Sequence, residues 1–523
     1  MSDSPVEAGK ISRRNLLLQG AATAGAAGFA AIVTPGCADI KSETSRLTGP
    51  GPATYLPLPA STTVAAAALH VANRIGFGPR PGDISRIAAM GTQGWIEEQL
   101  ADSKSMEEDP AVAWRVDSLD TQQTLRDAPD ALYSMSYEQL LLETQQAALL
   151  RAVYSRHQLR ENLADFWTNH FNIYALKTDG QALVPVDTEM VVRSHLWSFP
   201  EMLNASANSP AMLNYLDNKL NHKGVANENY ARELLELHTL GVKSGYTLRD
   251  IQEVARCFTG WTIKTGLQRG QYEFIESQHD TGSKYIPFLN LRIAPNGNRS
   301  DAVEVIRALA NHPATGRFLA TKLSNHFLGA APEEIVSQSA AVFVSSGGDV
   351  RRMLRPILLD GLARQDLNRR VLKRPIDYLA SALRATAADT DGGEELQKHL
   401  EAMGQPLYQW PMPDGFPEKS TAWTGSMLPR WNFALALSAN AIPGTNVDIS
   451  PALKAANAHT PEEHLDALSR LILASPSNQP EVQETCDQIK RHMDRAGAAG
   501  AAQPQIVAEC MGLLLASPSF QWK

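Results

Sequence analysis

The stretch NENYARELLELHTLGV, residues 227–242, decides how the rest of the chain is read. At about 100° per residue, Tyr230, Leu234, Leu237 and Gly241 share one arc of a helix, flanked by Ala231 and Leu235. His238 lies in the middle of that apolar arc, while Asn229, Arg232, Glu233 and Glu236 lie opposite. Asn227 is placed to cap the first turn and Gly241 to end the helix. A helix bounded in this way, with one apolar face, belongs to a core of packed helices. Its polar groups fall into separate sets. Glu233 and His238 are about 140° apart around the axis, too far to hold one ion together. Glu228 lies about 15 Å along the axis from His238. Glu228 and Arg232 form an i,i+4 pair in the favourable order, worth roughly 0.2–0.5 kcal/mol on an open surface. Two readings of the acidic face stay open. It is a solvated face, or Glu233 and Glu236 are a carboxylate pair with Arg232 beside them, able to do acid–base work.

A second helix repeats the pattern. In RENLADFWTNHFNIY (160–174), Leu163, Phe166, Trp167, Phe171 and Tyr174 make a wide apolar arc with His170 at its centre. A buried imidazole needs a partner, and helix bundles build polar and metal sites from facing helices. A third stretch, SQHDTGSKYI (277–286), sets His279 beside Asp280 in a loop tightened by Gly282, with Lys284 close by. His and carboxylate on a loop suit a divalent metal or a proton relay. The expectation is a site in which His170, His238, His279 and Asp280 are metal ligands. Glu228 or Glu233 would then be the general base, and Arg232 or Lys284 would stabilise a developing anion. The metal's identity is unknown. No HExxH, GxSxG, Walker or Rossmann fingerprint occurs, so the common hydrolase and nucleotide classes lack support.

Outward from these motifs, apolar residues from Thr63 onward recur mostly at three- and four-residue spacing, predicting helices over 64–73, 83–90, 135–172, 228–240, 247–258, 316–328, 373–388, 430–439, 480–496 and 504–516, among others. Strand-like alternation is scarce; GQYEFI (270–275) is the best instance and predicts one arm of a small hairpin. The fold class is therefore all-α, a large multi-helix globular bundle with a short β-hairpin or loop excursion near 264–300. The helical domain is expected over 64–523, with two lobes, about 64–264 and 301–523, as one arrangement. QPLYQWPMPDGFPEKSTAWTGSMLPRWNF (405–433) is too apolar for a solvated linker and predicts a functional loop or a strap packed across the helices.

A net charge of −8, with no long Lys/Arg block, argues against a nucleic-acid partner. The four cysteines, Cys37, Cys257, Cys486 and Cys510, include no CxxC pair, which disfavours thiolate zinc sites. A Cys486–Cys510 disulfide stays open on spacing. At the N-terminus, Lys10, Arg13 and Arg14 precede AATAGAAGFAAIV (21–33), an apolar stretch too short for a span of about 20 residues. The paired arginines followed by Leu16 and Leu17 resemble a twin-arginine export signal over 1–37. VTPGC (33–37) resembles a lipoprotein cleavage box with Cys37 as the acylated residue, although Pro35 sits where a small residue is usual. Residues 38–63 read as a Pro/Gly/Thr-rich tether. The expected localisation is exported, periplasmic or held by lipid at Cys37, with contact to a membrane only through that leader or anchor.

Taken together, ANRIGFGP (72–79), FWTNHF (166–171), SPAMLNYLDN (209–218), NENYARELLELHTLGV, YTLRDIQEVARCFTGWT (246–262), HDTGSK (279–284), NHPATGRFLATKL (311–323) and the strap with Trp423 and Arg430 resemble the bacterial family known as domain of unknown function 1800. The resemblance runs from about residue 67 to the C-terminus. Phe416 departs from it, standing where the family commonly has Trp. It implies a largely helical, often exported protein, frequently encoded beside a sulfatase-like protein of domain of unknown function 1501. It implies no activity. Its polar positions match Trp167, Asn169, His170, Asn227, Glu228, Asn229, Arg232, Glu233, Glu236, His238, Trp261, His279, Asp280 and Lys284. Two functions are expected from the polar residues themselves, the first with a polar, divalent-metal-binding site between helices. One is an exported hydrolase acting on an envelope or polymeric substrate. The other is a non-catalytic envelope scaffold partnering the sulfatase-like protein, with the same residues as a buried hydrogen-bond network.

Overall fold

In a computed structural model the described residues are 54–59, 61–101, 110–177, 184–265, 270–362 and 370–523. The leader over 1–37 with Cys37, and most of the tether, lie outside them. The architecture is all-α, interrupted by two-stranded ribbons. The hairpin predicted at 270–275 forms: Tyr272–Phe274 pairs antiparallel with Trp261–Ile263. A second ribbon pairs Lys284–Ile286 with Leu291–Ile293, so both fall in the excursion expected near 264–300. A third, Asp389–Thr390 with Thr445–Asn446, has no alternation long enough to announce it. No helix among the described residues is long and apolar enough to cross a membrane.

Two hydrophobic cores organise the helices. One is built mainly from residues 65–100 and 159–362, the other mainly from 112–154 and 376–520. The segments that build each core therefore differ from a division at 64–264 and 301–523. Tyr408, on the strap, packs against both. Cys257, Cys486 and Cys510 are buried free thiols, so no Cys486–Cys510 disulfide forms.

The predicted helix over 135–172 is two helices, Tyr137–Tyr154 and Gln158–His170. Gln158 supplies the physical reason for the break. Its buried amide donates to the Ala152 and Ser155 carbonyls at 3.2 and 2.7 Å, satisfying acceptors that end the first helix. Its Oε1 accepts the Phe77 N–H at 2.9 Å. The break lets the second helix turn its wide apolar arc, with His170, into the first core.

The helix read from 227–242 also departs from regular geometry. Asn227 caps it by accepting the Asn229 N–H, and Gly241, at φ 82°, ends it in the left-handed region. Between them Glu228–Glu233 is α-helical, but Leu234–Thr239 is π-helical. The Leu240 N–H reaches back five residues to the Leu235 carbonyl, and the Thr239 hydroxyl donates to the Leu234 carbonyl. The wider turn rotates the residues at the helix end. Leu237, expected inside, is only half-buried, whereas Thr239 and Leu240 are buried. His238 stays inside.

The strap over 405–433 lies across the Gln158–His170 helix. Asn169 holds it with both ends of its amide: Nδ2 donates to the Phe416 carbonyl at 2.9 Å and Oδ1 accepts the Phe416 N–H at 2.7 Å. Asn172 donates to the carbonyls of Trp410 and Met412, and the Tyr215 hydroxyl to that of Pro411. Gly415 has φ 74°, and a Cβ there would collide with the Asn169 carbonyl. At its far end Arg430, fully buried, donates to Ser426 Oγ, Gln521 Oε1 and the Lys373 carbonyl. Asn169→Ala removes both amide contacts to a buried peptide group, so chemical denaturation should show a loss of about 1–3 kcal/mol. A loss near zero would mean that the strap is held without Asn169.

Candidate functional site

His170 sits at the C-terminal end of its helix, packed edge-on against Trp167 and Phe171. Both of its ring nitrogens are engaged. Nε2 lies 3.1 Å from the His238 carbonyl oxygen, and Nδ1 lies 3.0 Å from Lys322 Nζ. A carbonyl only accepts, so Nε2 carries the proton and Nδ1 offers its lone pair to the lysine. Burial, helped by Lys322 and His238, holds the imidazole well below the usual histidine range, so it is neutral at physiological pH. The His238 ring is 6.1 Å away, centroid to centroid, and burial next to Lys322 pushes its pKa down to about 3. The two histidines from separate helices therefore do come together. Neither His238 ring nitrogen has a hydrogen-bond partner among the described residues.

His279, Asp280 and Lys284 form a different cluster. His279 Nδ1 donates to the Thr259 carbonyl at 2.8 Å and Nε2 faces Asp301 Oδ2 at 3.1 Å. Lys284, buried, donates to the same Asp301 oxygen at 2.7 Å and to the carbonyls of Asp280 and Gly282. Asp280 turns away to a two-point pair with Arg256, at 2.8 and 3.2 Å, which holds its carboxyl below the ordinary aspartate value. The expectation that His170, His238, His279 and Asp280 gather round one ion is thus not met. Among the described residues no group of three or more His, Cys, Asp or Glu side chains is placed to hold a metal. The physical reason is that His170 has spent its lone pair on an ammonium, while His279 and Asp280 face their own partners. Lys284, expected to stabilise an anion, serves instead as a buried counter-charge for Asp301.

The acidic face of the 228–240 helix is half-solvated. Arg232 reaches Glu228 at 3.3 Å and Glu236 at 3.7 Å, and Glu228 also accepts from Gln252. Glu233 stands apart from that ladder. Burial raises its carboxyl pKa, Glu236 and Asp414 add to the rise, and Arg232 opposes it. Asp414 belongs to the strap and also acts on Lys322. One strap carboxylate therefore acts on both groups, while Glu233 itself lies outside the lining of the Lys322 cavity.

Lys322 lines a cavity of about 180 Å³ between the Gln158–His170 helix, the Pro313–Leu328 helix and the strap. Asn169, His170, Lys322, Asp414 and Glu418 line it with Phe166, Trp410 and Phe416. Burial pushes the Lys322 amine down to about 8, against the pull of Glu418 and Asp414. Glu418 accepts from His326 at 3.0 Å and stays well below the usual glutamate range. Sequence reasoning missed Lys322, Asp414 and Glu418. Lys322 left a signal: it stands between Leu319, Leu323 and His326 on the inner side of its helix, where an unpaired ammonium is costly.

The fold and cleft define a large helical protein with a strap closed over a lysine–histidine pair. The chain belongs to the family described as protein of unknown function (DUF1800), whose profile matches residues 70–522. No curated protein and no solved structure matches it.

Two outcomes are expected. The Lys322 amine should become reactive toward an acylating reagent with a midpoint near pH 8, since below that value it is an ammonium and above it a free base. Site-resolved mass spectrometry reads this directly; a midpoint at the ordinary lysine value would contradict the buried, histidine-bound amine. Asp301→Ala leaves Lys284 buried without its carboxylate, so equilibrium unfolding should show a loss of about 3–5 kcal/mol. Asp280→Ala, which breaks only a part-exposed pair, should lose much less.

Proposed function

We propose that the strap-covered cleft is the active site of an exported hydrolase acting on an envelope polymer, and that it works by acid–base chemistry from Lys322 and Glu233. The observation that carries this reading is the 3.0 Å contact of Lys322 Nζ with His170 Nδ1 inside a cavity lined by strap carboxylates. The neutral imidazole holds the amine at a fixed point without neutralising it. Lys322 would protonate the leaving oxygen as its bond breaks. Glu233, made more basic by burial, would take a proton from the attacking water. Arg232 stays with Glu228 and Glu236 and tunes Glu233 from behind. Trp410 and Phe416 offer aromatic faces beside the polar atoms of Asn169, Asp414 and Glu418, a lining that suits a polyhydroxylated ring with one apolar face. The twin-arginine-like leader and Cys37 support export, with the cysteine as a lipid attachment point.

One observation favours a second reading. The His279–Asp301–Lys284 cluster is buried and closed on itself, as a network that fixes packing would be. In that reading the chain is an envelope scaffold, and the sulfatase-like neighbour is its partner.

Incubating the purified protein with a panel of envelope polysaccharides and measuring new reducing ends separates the two. The hydrolase reading expects turnover that falls about 100-fold or more in Lys322→Met and Glu233→Gln, with helical circular dichroism unchanged. No turnover on any polymer, together with a stoichiometric complex with the sulfatase-like protein, would favour the scaffold. Elemental analysis adds an independent arm. One equivalent of a transition metal that disappears in a His170→Ala/His238→Ala variant would overturn the lysine–histidine assignment.

A further inference from the structure

A second cavity, remote in its chemistry from the cleft, is lined by four arginines and one carboxylate. It measures about 270 Å³ and is bordered by Arg80, Arg86, Arg156, Arg384 and Asp83, with Tyr154 and Trp95 in its walls. Three separate parts of the chain bring the guanidinium groups together. Arg80 directly follows the ANRIGFGP motif, and Arg86 lies one turn into the Asp83–Met90 helix. Arg156 occupies the break between the Tyr137–Tyr154 and Gln158–His170 helices. Arg384 ends the Pro375–Ala385 helix. In a chain whose net charge is −8, such a local excess of cations is not a matter of overall composition.

The back of the cavity is fixed. Arg384 is 2 % exposed, and its Nε and Nη1 donate to the carbonyls of Gly78 and Val153 at 2.6 Å each. Those carbonyls orient the guanidinium but do not cancel its charge. Burial, with Arg80 adding to the effect and Asp83 opposing it, weakens its hold on a proton, the mark of a cation short of counter-charge. The only carboxylate in the lining, Asp83, is shared: Oδ2 accepts the Arg80 backbone N–H at 2.8 Å and Arg384 Nη2 at 3.3 Å. Arg86 is paired with Glu98, which stands outside the lining. The Arg80 guanidinium lies 5.5 Å from the centre of the Tyr154 ring and makes no ion pair among the described residues. Arg156 is exposed at the same rim and has a bonding partner of its own, which an incoming anion would replace.

We propose that this cavity binds a tetrahedral oxyanion, the sulfate or phosphate group of a larger ligand or the free ion. Arg80 and Arg156 would be its direct ligands, and Arg384 the fixed charge behind them. A planar guanidinium fork can present two N–H groups to two oxygens of such an anion, and two forks from different segments can grip it from two sides. Oxyanion binding here does not depend on the chemistry at Lys322.

Thermal unfolding of the full chain, titrated with inorganic sulfate, inorganic phosphate or acetate at ionic strength held constant with sodium chloride, tests it. The expected result is a saturable rise in Tm with sulfate or phosphate that exceeds the response to acetate; the stronger of the two identifies the headgroup. Arg80→Ala/Arg156→Ala should raise the half-saturating concentration at least tenfold, and Arg80→Lys/Arg156→Lys should recover part of the affinity. The lysine pair keeps the charge, so the comparison holds even if the alanine pair lowers the starting Tm. A response that tracks ionic strength alone, one undiminished in the alanine pair, or one equal for acetate would each overturn the assignment.

Discussion

A buried imidazole has two nitrogens to satisfy, and the way His170 satisfies them ties three helices together at one point. Its N–H goes to the backbone of the π-helical turn at His238, and its lone pair goes to Lys322 on a third helix. The His238 carbonyl is among the last four of its helix, which have no intrahelical N–H to accept, and His170 supplies the donor. The bond to Lys322 keeps an ammonium inside a largely apolar wall. Together they engage both ring nitrogens of His170.

The strap completes the arrangement. It brings Asp414 and Glu418 to the cavity that holds the lysine, with Trp410 and Phe416 in the same lining. Asn169, next to His170 in sequence, clamps the strap at Phe416. One helical turn therefore carries both the residue that positions the amine and the residue that closes the lid over it. The charged groups farther back, Arg374 with Asp165 and Asp377, and Arg193 with Glu161, are mutually paired and read as packing. Asp187 is different: among the described residues only the Ser209 hydroxyl supports it, and burial raises its carboxyl to about 7.

The helical wheel is a good guide to what is buried and a poor one to what is adjacent. It places His170 and His238 inside, and both are. It misplaces Leu237 because a fixed 100° step cannot register a π turn, whose cause is a five-residue hydrogen-bond pattern and not a residue type. The tyrosine–phenylalanine alternation at 272–274 reveals a strand because its period is short and local. His279 reads naturally with its neighbour Asp280, whereas its true partner, Asp301, is 22 residues further along, across a ribbon that spacing alone does not reveal. Lys322 escapes notice because lysine is normally a surface residue, although its place among Leu319, Leu323 and His326 marks it as unusual. The strap's packed character is legible in its proline and aromatic content, but the carboxylates it delivers depend on its path.

The most direct measurement is the tautomer and titration of His170 by nitrogen-15 NMR on histidine-labelled protein, assigned by comparison with His170→Asn. A histidine held between the His238 carbonyl and the Lys322 amine must be a neutral ring protonated at Nε2. Its Nδ1 resonance should be shifted by a hydrogen-bond donor and stay unchanged between pH 5 and pH 7, below the Lys322 midpoint. A ring that titrates in the normal histidine range, or whose Nδ1 shows the shift of a metal-bound nitrogen, would contradict it.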